Sequence, residues 1–252
     1  MKKVNVNKIM TRGKAMFLAY DQGLEHGPVD FNDKNVDPRH IIDIAKRGKF
    51  NAVIFQKGIA EKYNEEIKKS KVPLLIKLNG KTNIRKGEPI SKQICSVDEA
   101  ISLGAVAVGF TIYAGSEFEP IMMREFSKIE EEAHKKGLVV VVWIYPRGKG
   151  VKGRSEKELM AYAGRMGLEI GADIVKLHYN RNKKDLSWTV KSAGKTKVVI
   201  AGGVKTGEKE FLREVKDIVS VGGSGIAVGR NIWKSKNPVE LSKKVHKIIF
   251  GK

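Results

Sequence analysis

Gly171-Ala-Asp-Ile-Val-Lys-Leu-His-Tyr179 reads as a short apolar strand with one lysine set into its middle. A strand alternates its faces, so Lys176 and His178 project to one side while Val175 and Leu177 pack on the other. Lysine is among the residues least often fully buried, because an unpartnered ammonium is costly to desolvate and burial drives it toward the neutral amine. A neutral amine is a nucleophile, which makes Lys176 a candidate Schiff-base residue toward a carbonyl substrate. Taken alone, one lysine in a chain with 48 Lys and Arg reads better as a strand-end side chain reaching to water. The rest of the chain shifts the balance.

Outward from this strand, seven further apolar runs of β type occur, at 15–20, 52–55, 74–78, 105–110, 138–145, 198–201 and 225–228. Amphipathic helical segments lie between and after them, at 38–47, 59–69, 97–103, 117–136, 155–170, 184–193, 208–219 and 238–249. Ser155 and Glu158 make a capping-box pattern, with both side chains placed to satisfy free backbone donors. The stretch 79–96, with Gly80, Gly87 and Pro89, reads as an irregular loop. About eight strand–helix units without a composition break predict an α/β fold, a single-domain (β/α)₈ TIM barrel over residues 1–252. An open doubly wound sheet is the alternative, but no Gly-x-Gly-x-x-Gly turn follows the first strand.

In such a barrel, chemistry sits at the C-terminal ends of the strands. Here those ends carry Asp21, Lys77, Asn79, Trp143, Tyr145, Arg147, Lys176 and His178. Trp143, Tyr145 and Arg147 share one face by the period of two. The two aromatics equally suit a barrel mouth with wet polar tips, and an aspartate before a Gly-rich turn often serves only the turn. Two glycine turns, Ala201-Gly-Gly-Val-Lys205 and Gly229-Arg-Asn231, follow the last two strands, the usual phosphate site of these barrels. Arg230 adds a bidentate partner for such an anion. The residues alone predict a phosphate-handling barrel with a candidate amine nucleophile, and they do not prefer Lys176 over Lys77.

Composition narrows the function classes. The chain has 252 residues, 41% hydrophobic and 30% charged, as expected of a globular protein rather than a membrane or disordered one. The N-terminus lacks an apolar signal core, so a cytoplasmic protein is expected. The net charge of +20 comes from lysines interspersed with glutamates, as in Lys62-Tyr-Asn-Glu-Glu-Ile-Lys-Lys-Ser-Lys71, which suits a solvated surface better than a nucleic-acid face. Cys95 is the single cysteine, and His26 and His178 are not spaced with carboxylates as metal ligands usually are, so neither a disulfide nor a metal site is expected.

Several of these stretches resemble the archaeal-type class I fructose-bisphosphate aldolases: Leu18-Ala-Tyr-Asp-Gln-Gly-Leu-Glu-His-Gly-Pro28, Phe55-Gln-Lys-Gly-Ile-Ala-Glu-Lys-Tyr63, Lys77-Leu-Asn-Gly-Lys-Thr82, Trp143-Ile-Tyr-Pro-Arg-Gly148, Ala172-Asp-Ile-Val-Lys176 and Gly225-Ile-Ala-Val-Gly-Arg-Asn-Ile-Trp233. They run in collinear order over nearly the whole chain. The resemblance implies a (β/α)₈ fold, Lys176 as the Schiff-base lysine, Tyr145 as acid/base and Asp21 as a catalytic aspartate. It also implies substrate contacts by His26, Asp30, Trp143, Arg147, Gly202, Gly203, Gly229 and Arg230, to which Gln22, His178 and Ala201 at neighbouring strand ends are added. At Gln22 the family often has histidine, which leaves the contact made there open. The implied activity is reversible, metal-free and cofactor-free cleavage of fructose 1,6-bisphosphate in glycolysis or gluconeogenesis, by a homo-oligomer, commonly a decamer, without nucleic-acid or membrane partners. The alternatives are a Schiff-base synthase of a seven-carbon aromatic-amino-acid precursor and, in another class, a non-catalytic phosphate- or nucleic-acid-binding barrel.

Overall fold

The apolar runs form strands β1 (Ala15–Ala19), β2 (Ala52–Gln56), β3 (Leu74–Lys77), β6 (Ala105–Ile112), β7 (Val139–Ile144), β8 (Ile174–Leu177), β9 (Lys197–Ala201) and β10 (Gly225–Val228), with a minor pair, β4 (Asn79–Gly80) and β5 (Lys92–Gln93), between β3 and β6. The computed structural model describes residues 4–251; residues 1–3, where the segment read as lacking an apolar signal core begins, lie outside the described residues, as does residue 252. The eight major strands close in the order β1-β10-β9-β8-β7-β6-β3-β2, and every pair is parallel. This is the expected (β/α)₈ barrel.

Strand alternation divides the apolar side chains into two clusters. Phe17, Ile54, Leu75, Val141, Trp143, Ile174 and Val199 belong to one, which fills the barrel. Val53, Phe55, Val140, Val142, Val175 and Leu177 belong to the other, between strands and helices. The barrel interior is crowded at Trp143: a Cβ on Gly109 of β6 would collide with its indole. Glycine at 109 is what lets the largest side chain of the interior lie flat across it.

The outer layer comprises α2 (Pro38–Arg47), α3 (Lys57–Lys62), α4 (Asn64–Ser70), α5 (Val97–Ser102), α6 (Glu119–Lys135), α7 (Glu156–Glu169), α8 (Lys183–Ser192), α9 (Glu208–Ser220) and α11 (Pro238–Phe250); two short helices, α1 (Gly23–His26) and α10 (Arg230–Trp233), stand in loops. The starts carry side-chain caps: Asp37 accepts from the Arg39 N–H, Ser96 from Glu99, and Asn182 from Lys184 and Asp185.

Three local expectations change. The helix expected at 59–69 breaks at Tyr63, whose φ of −115° is outside the helical range, so α3 and α4 are separate. The stretch expected to be an irregular loop is pinned at both ends: Asn79 pairs with Gln93 and Gly80 with Lys92, and the buried Asn79 amide donates to Ser91 O and Thr111 O. In the capping box, Ser155 Oγ accepts from Glu158 N at 3.2 Å, but the Glu158 carboxylate turns to Arg154. An ion pair with a neighbouring guanidinium replaces the backbone contact. Neither α1 nor α10 carries an apolar period long enough to read.

Candidate active site

The C-terminal strand ends converge on one cleft lined by Asp21, Gln22, Glu25, His26, Lys77, Trp143, Tyr145, Arg147, Lys176, His178, the turns at Gly202, Gly203 and Gly229, and Arg230, with the small residues Ala19, Ala201 and Ala227 beneath. Lys176 is at the end of β8 and Lys77 at the end of β3, and both are buried. They approach the Trp143 indole at 5.0 Å and 5.8 Å from its centroid.

The two lysines differ in what they face. Lys77 Nζ is 3.2 Å from Asp21 Oδ2. Among the described residues, Lys176 has no ion pair or hydrogen bond from Nζ. Burial lowers its pKa to about 8, opposed by the Asp21 charge and assisted by Lys77. A substantial fraction of Lys176 is therefore the neutral amine near pH 8. Burial pushes the Asp21 carboxyl up, but the Lys77 and Lys176 charges outweigh it and hold the group below its ordinary value, as a carboxylate.

Tyr145 follows β7, with its ring stacked on His178 at 4.4 Å. Burial, reinforced by the Asp21 charge, holds its phenol well above the usual value, so it keeps its proton. Burial also lowers His178 to about 4, with Arg147 and Lys176 adding to the shift, so the imidazole is neutral at pH 7. The site thus sets an amine that is partly neutral near pH 8 and a protonated phenol beside a carboxylate, a set able to make a bond to carbon and move protons around it.

At the end of the cleft formed by the loops after β9 and β10, Arg230 Nη2 donates to Gly203 O at 2.9 Å, and Asn231 Nδ2 to Gly202 O at 2.6 Å. Asn231 Oδ1 also accepts from Thr206 N at 2.8 Å, tying the loops after β9 and β10 together. Gly229 is a tight approach, since a Cβ there would press on Ala19 O and the Trp233 indole nitrogen. At the other end Arg147 lies 5.4 Å from the Tyr145 ring centroid and 5.6 Å from that of Tyr113, with Nη1 3.3 Å from Glu25 Oε1.

A family description, DeoC/LacD family aldolase, matches residues 15–235. The chain belongs to this aldolase family. It is 47% identical over 243 residues to a class 1 fructose-bisphosphate aldolase of Thermoproteus tenax, covering 95% of this chain and 91% of that one. It is 42% identical over 252 residues to the class 1 fructose-bisphosphate aldolase of Halobacterium salinarum, covering 99% and 95%. Among solved structures, an archaeal fructose-1,6-bisphosphate aldolase with its catalytic lysine covalently bound to the carbinolamine intermediate of the substrate superposes with a TM-score of 0.91, at 45% identity and 97% coverage of both chains.

Of the aldolase site residues expected from sequence, all but one line the cleft. Asp30 stands behind the wall, where its carboxylate meets His26 Nδ1 and Arg230 Nη1 at 3.3 Å and Lys234 Nζ at 3.2 Å. Its carboxylate is thus held by three basic side chains, one of them the cleft residue Arg230. Glu25 also lines the cleft and was not singled out in the sequence. Ala19 and Ala227 carry no polar group that sequence could flag. Among the described residues no group of three or more His, Cys, Asp or Glu side chains is placed to hold a metal ion.

Proposed function

We propose that this chain is a class I fructose-1,6-bisphosphate aldolase, which reversibly cleaves the open-chain sugar to dihydroxyacetone phosphate and glyceraldehyde 3-phosphate through a Schiff base on Lys176. The observation that carries the reading is the buried Lys176 amine, lowered to about 8 and without an ion-pair partner among the described residues, beside a protonated phenol and a carboxylate. The relatives' names support the substrate.

In this reading the Lys176 amine adds to the C2 carbonyl to give a carbinolamine. Tyr145 supplies the proton with which the C2 hydroxyl leaves as water, and an iminium remains. Asp21, or the tyrosinate left by that step, takes the C4 hydroxyl proton. The C3–C4 bond then breaks, its electron pair flows into the iminium to form an enamine, and glyceraldehyde 3-phosphate departs. Protonation at C3 and hydrolysis of the resulting iminium release dihydroxyacetone phosphate and restore the amine. The iminium is the electron sink that a Lewis-acid metal supplies in other aldol chemistry.

The buried Trp143 Nε1 and Gln22 Nε2, without partners among the described residues, suit contacts to the sugar hydroxyls. Arg230 with the Gly202-Gly203 and Gly229 turns takes the 1-phosphate, and Arg147 takes the 6-phosphate, since the two phosphates lie at opposite ends of the open chain. A place in glycolysis or gluconeogenesis, a cytoplasmic location and a homo-oligomer, commonly a decamer, belong to the same proposal. The test is cleavage of fructose 1,6-bisphosphate by the purified protein in excess chelator. Turnover that survives the chelator supports the Schiff-base route, and turnover abolished by it and restored by a divalent metal contradicts it.

A further inference from the structure

Arg147, 45% exposed, is braced on its protein side by two rings and a carboxylate. Its guanidinium is within 5.4 Å of the Tyr145 ring centroid and 5.6 Å of that of Tyr113, and Nη1 is 3.3 Å from Glu25 Oε1. Glu25 is itself held: the same Oε1 is 3.3 Å from Lys81 Nζ and 3.5 Å from the Tyr113 hydroxyl, and the side chain is only 17% exposed. Lys81 in turn donates to Asn83 Oδ1 at 2.7 Å. Burial pushes the Glu25 carboxyl up, but Lys77, Lys81 and Arg147 outweigh it, so the group stays ionised. A carboxylate at the mouth of a cleft for a doubly phosphorylated sugar needs a reason, because it repels the ligand.

We infer that Glu25 is a positioning residue for substrate specificity: braced by Lys81 and Tyr113, it fixes the Arg147 guanidinium against the Tyr145 ring so that Arg147 meets the distal phosphate already ordered. The inference rests on the assignment of Arg147 to that phosphate. An arginine loses considerable side-chain entropy when a ligand immobilises it, and a brace removes that loss in advance. Because Arg147 also lies over Tyr145, the brace sets the distance between distal-phosphate recognition and the proton donor. Repulsion by one carboxylate is offset locally by the two cations it holds.

The test measures KM and kcat for fructose 1,6-bisphosphate and fructose 1-phosphate in Glu25→Ala, Glu25→Gln, Arg147→Ala and the Glu25→Ala/Arg147→Ala double variant. Glu25→Ala is expected to raise KM for the bisphosphate by roughly three- to tenfold, with less effect on the monophosphate, the change falling on KM more than on kcat. Glu25→Gln still accepts from the guanidinium and is expected to recover part of the preference, which also guards against a folding defect in the alanine variant. In the Arg147→Ala background, Glu25→Ala is expected to cause no further loss of preference, because it acts through Arg147. A fall in the bisphosphate KM in Glu25→Ala overturns the inference, since the carboxylate then only occupies the guanidinium and repels phosphate. An equal loss of kcat on both substrates overturns it too, by making Glu25 a reacting group. If Arg147→Ala is selective and Glu25→Ala is not, this inference alone fails. An unselective Arg147→Ala removes the phosphate assignment and the inference together.

Discussion

Lys77 and Asp21 form an ion pair, Nζ to Oδ2 at 3.2 Å, with both side chains buried. This one contact separates two lysines that occupy equivalent places at the ends of β3 and β8. Lys77 pairs with the carboxylate directly, and Lys176 approaches the Trp143 face with no carboxylate at ion-pair distance among the described residues. Removing one partner of a buried pair leaves the other uncompensated, typically at about 3–5 kcal/mol. Asp21 therefore holds the site together, apart from the role proposed for it in the reaction.

Tyr145→Phe is expected to keep the fold and substrate binding, because the ring still stacks on His178, while kcat falls by about 10²–10⁴-fold through loss of a positioned proton donor. Steady-state kinetics with thermal denaturation as a control checks it. Full turnover in this variant moves the acid role elsewhere, with Asp21 next in line.

Gly109→Ala places a methyl group against the Trp143 indole in a filled barrel interior. Overpacking of that kind costs about 1–3 kcal/mol, and the indole is the surface over which both buried lysines lie. The variant is expected to lose both stability and kcat/KM, read by denaturant unfolding and steady-state assay. Unchanged unfolding would mean that the indole shifts freely, and the packing argument would be wrong.

The barrel was legible because its strands are apolar runs at regular intervals, and strand period alone put Lys176 and His178 on one face. What escaped was set by contacts between distant residues. Lys77 and Lys176 could not be ranked because the Asp21 pairing joins β3 to the loop after β1. Glu25 was not singled out, since its partner Arg147 is 122 positions away. Asp30 was expected in the cleft from the resemblance, but its carboxylate is taken up by three basic neighbours, two of them on the far end of the chain. The β4–β5 pair is too short to leave a pattern, and Asn79 rather than strand propensity holds it in place.

His134, in the last turn of α6, has Nδ1 2.7 Å from Glu130 and Nε2 3.0 Å from Asp173. Both ring nitrogens face carboxylates, which an imidazolium satisfies fully. The hydrogen bond to Asp173 raises its pKa against the opposing effect of burial. A raised folded value means that this stability is fully present below the unfolded value of about 6.5 and is lost as pH rises through the folded value. His134→Gln is thus expected to cost on the order of 1.5 kcal/mol at pH 6 and progressively less at alkaline pH. Thermal unfolding of both proteins across pH 5.5–9 checks this, and a penalty that grows with pH contradicts it.

The most direct test of the central claim is covalent trapping. Incubation with dihydroxyacetone phosphate and borohydride reduces an imine to a stable amine, and peptide mapping then finds the labelled lysine. Trapping measured at short times should also increase with pH through about 8, as burial leaves more of the Lys176 amine neutral. Label on Lys176, absent in Lys176→Arg, is the expected result. Label on Lys77 instead, or no label in the wild type, contradicts the account.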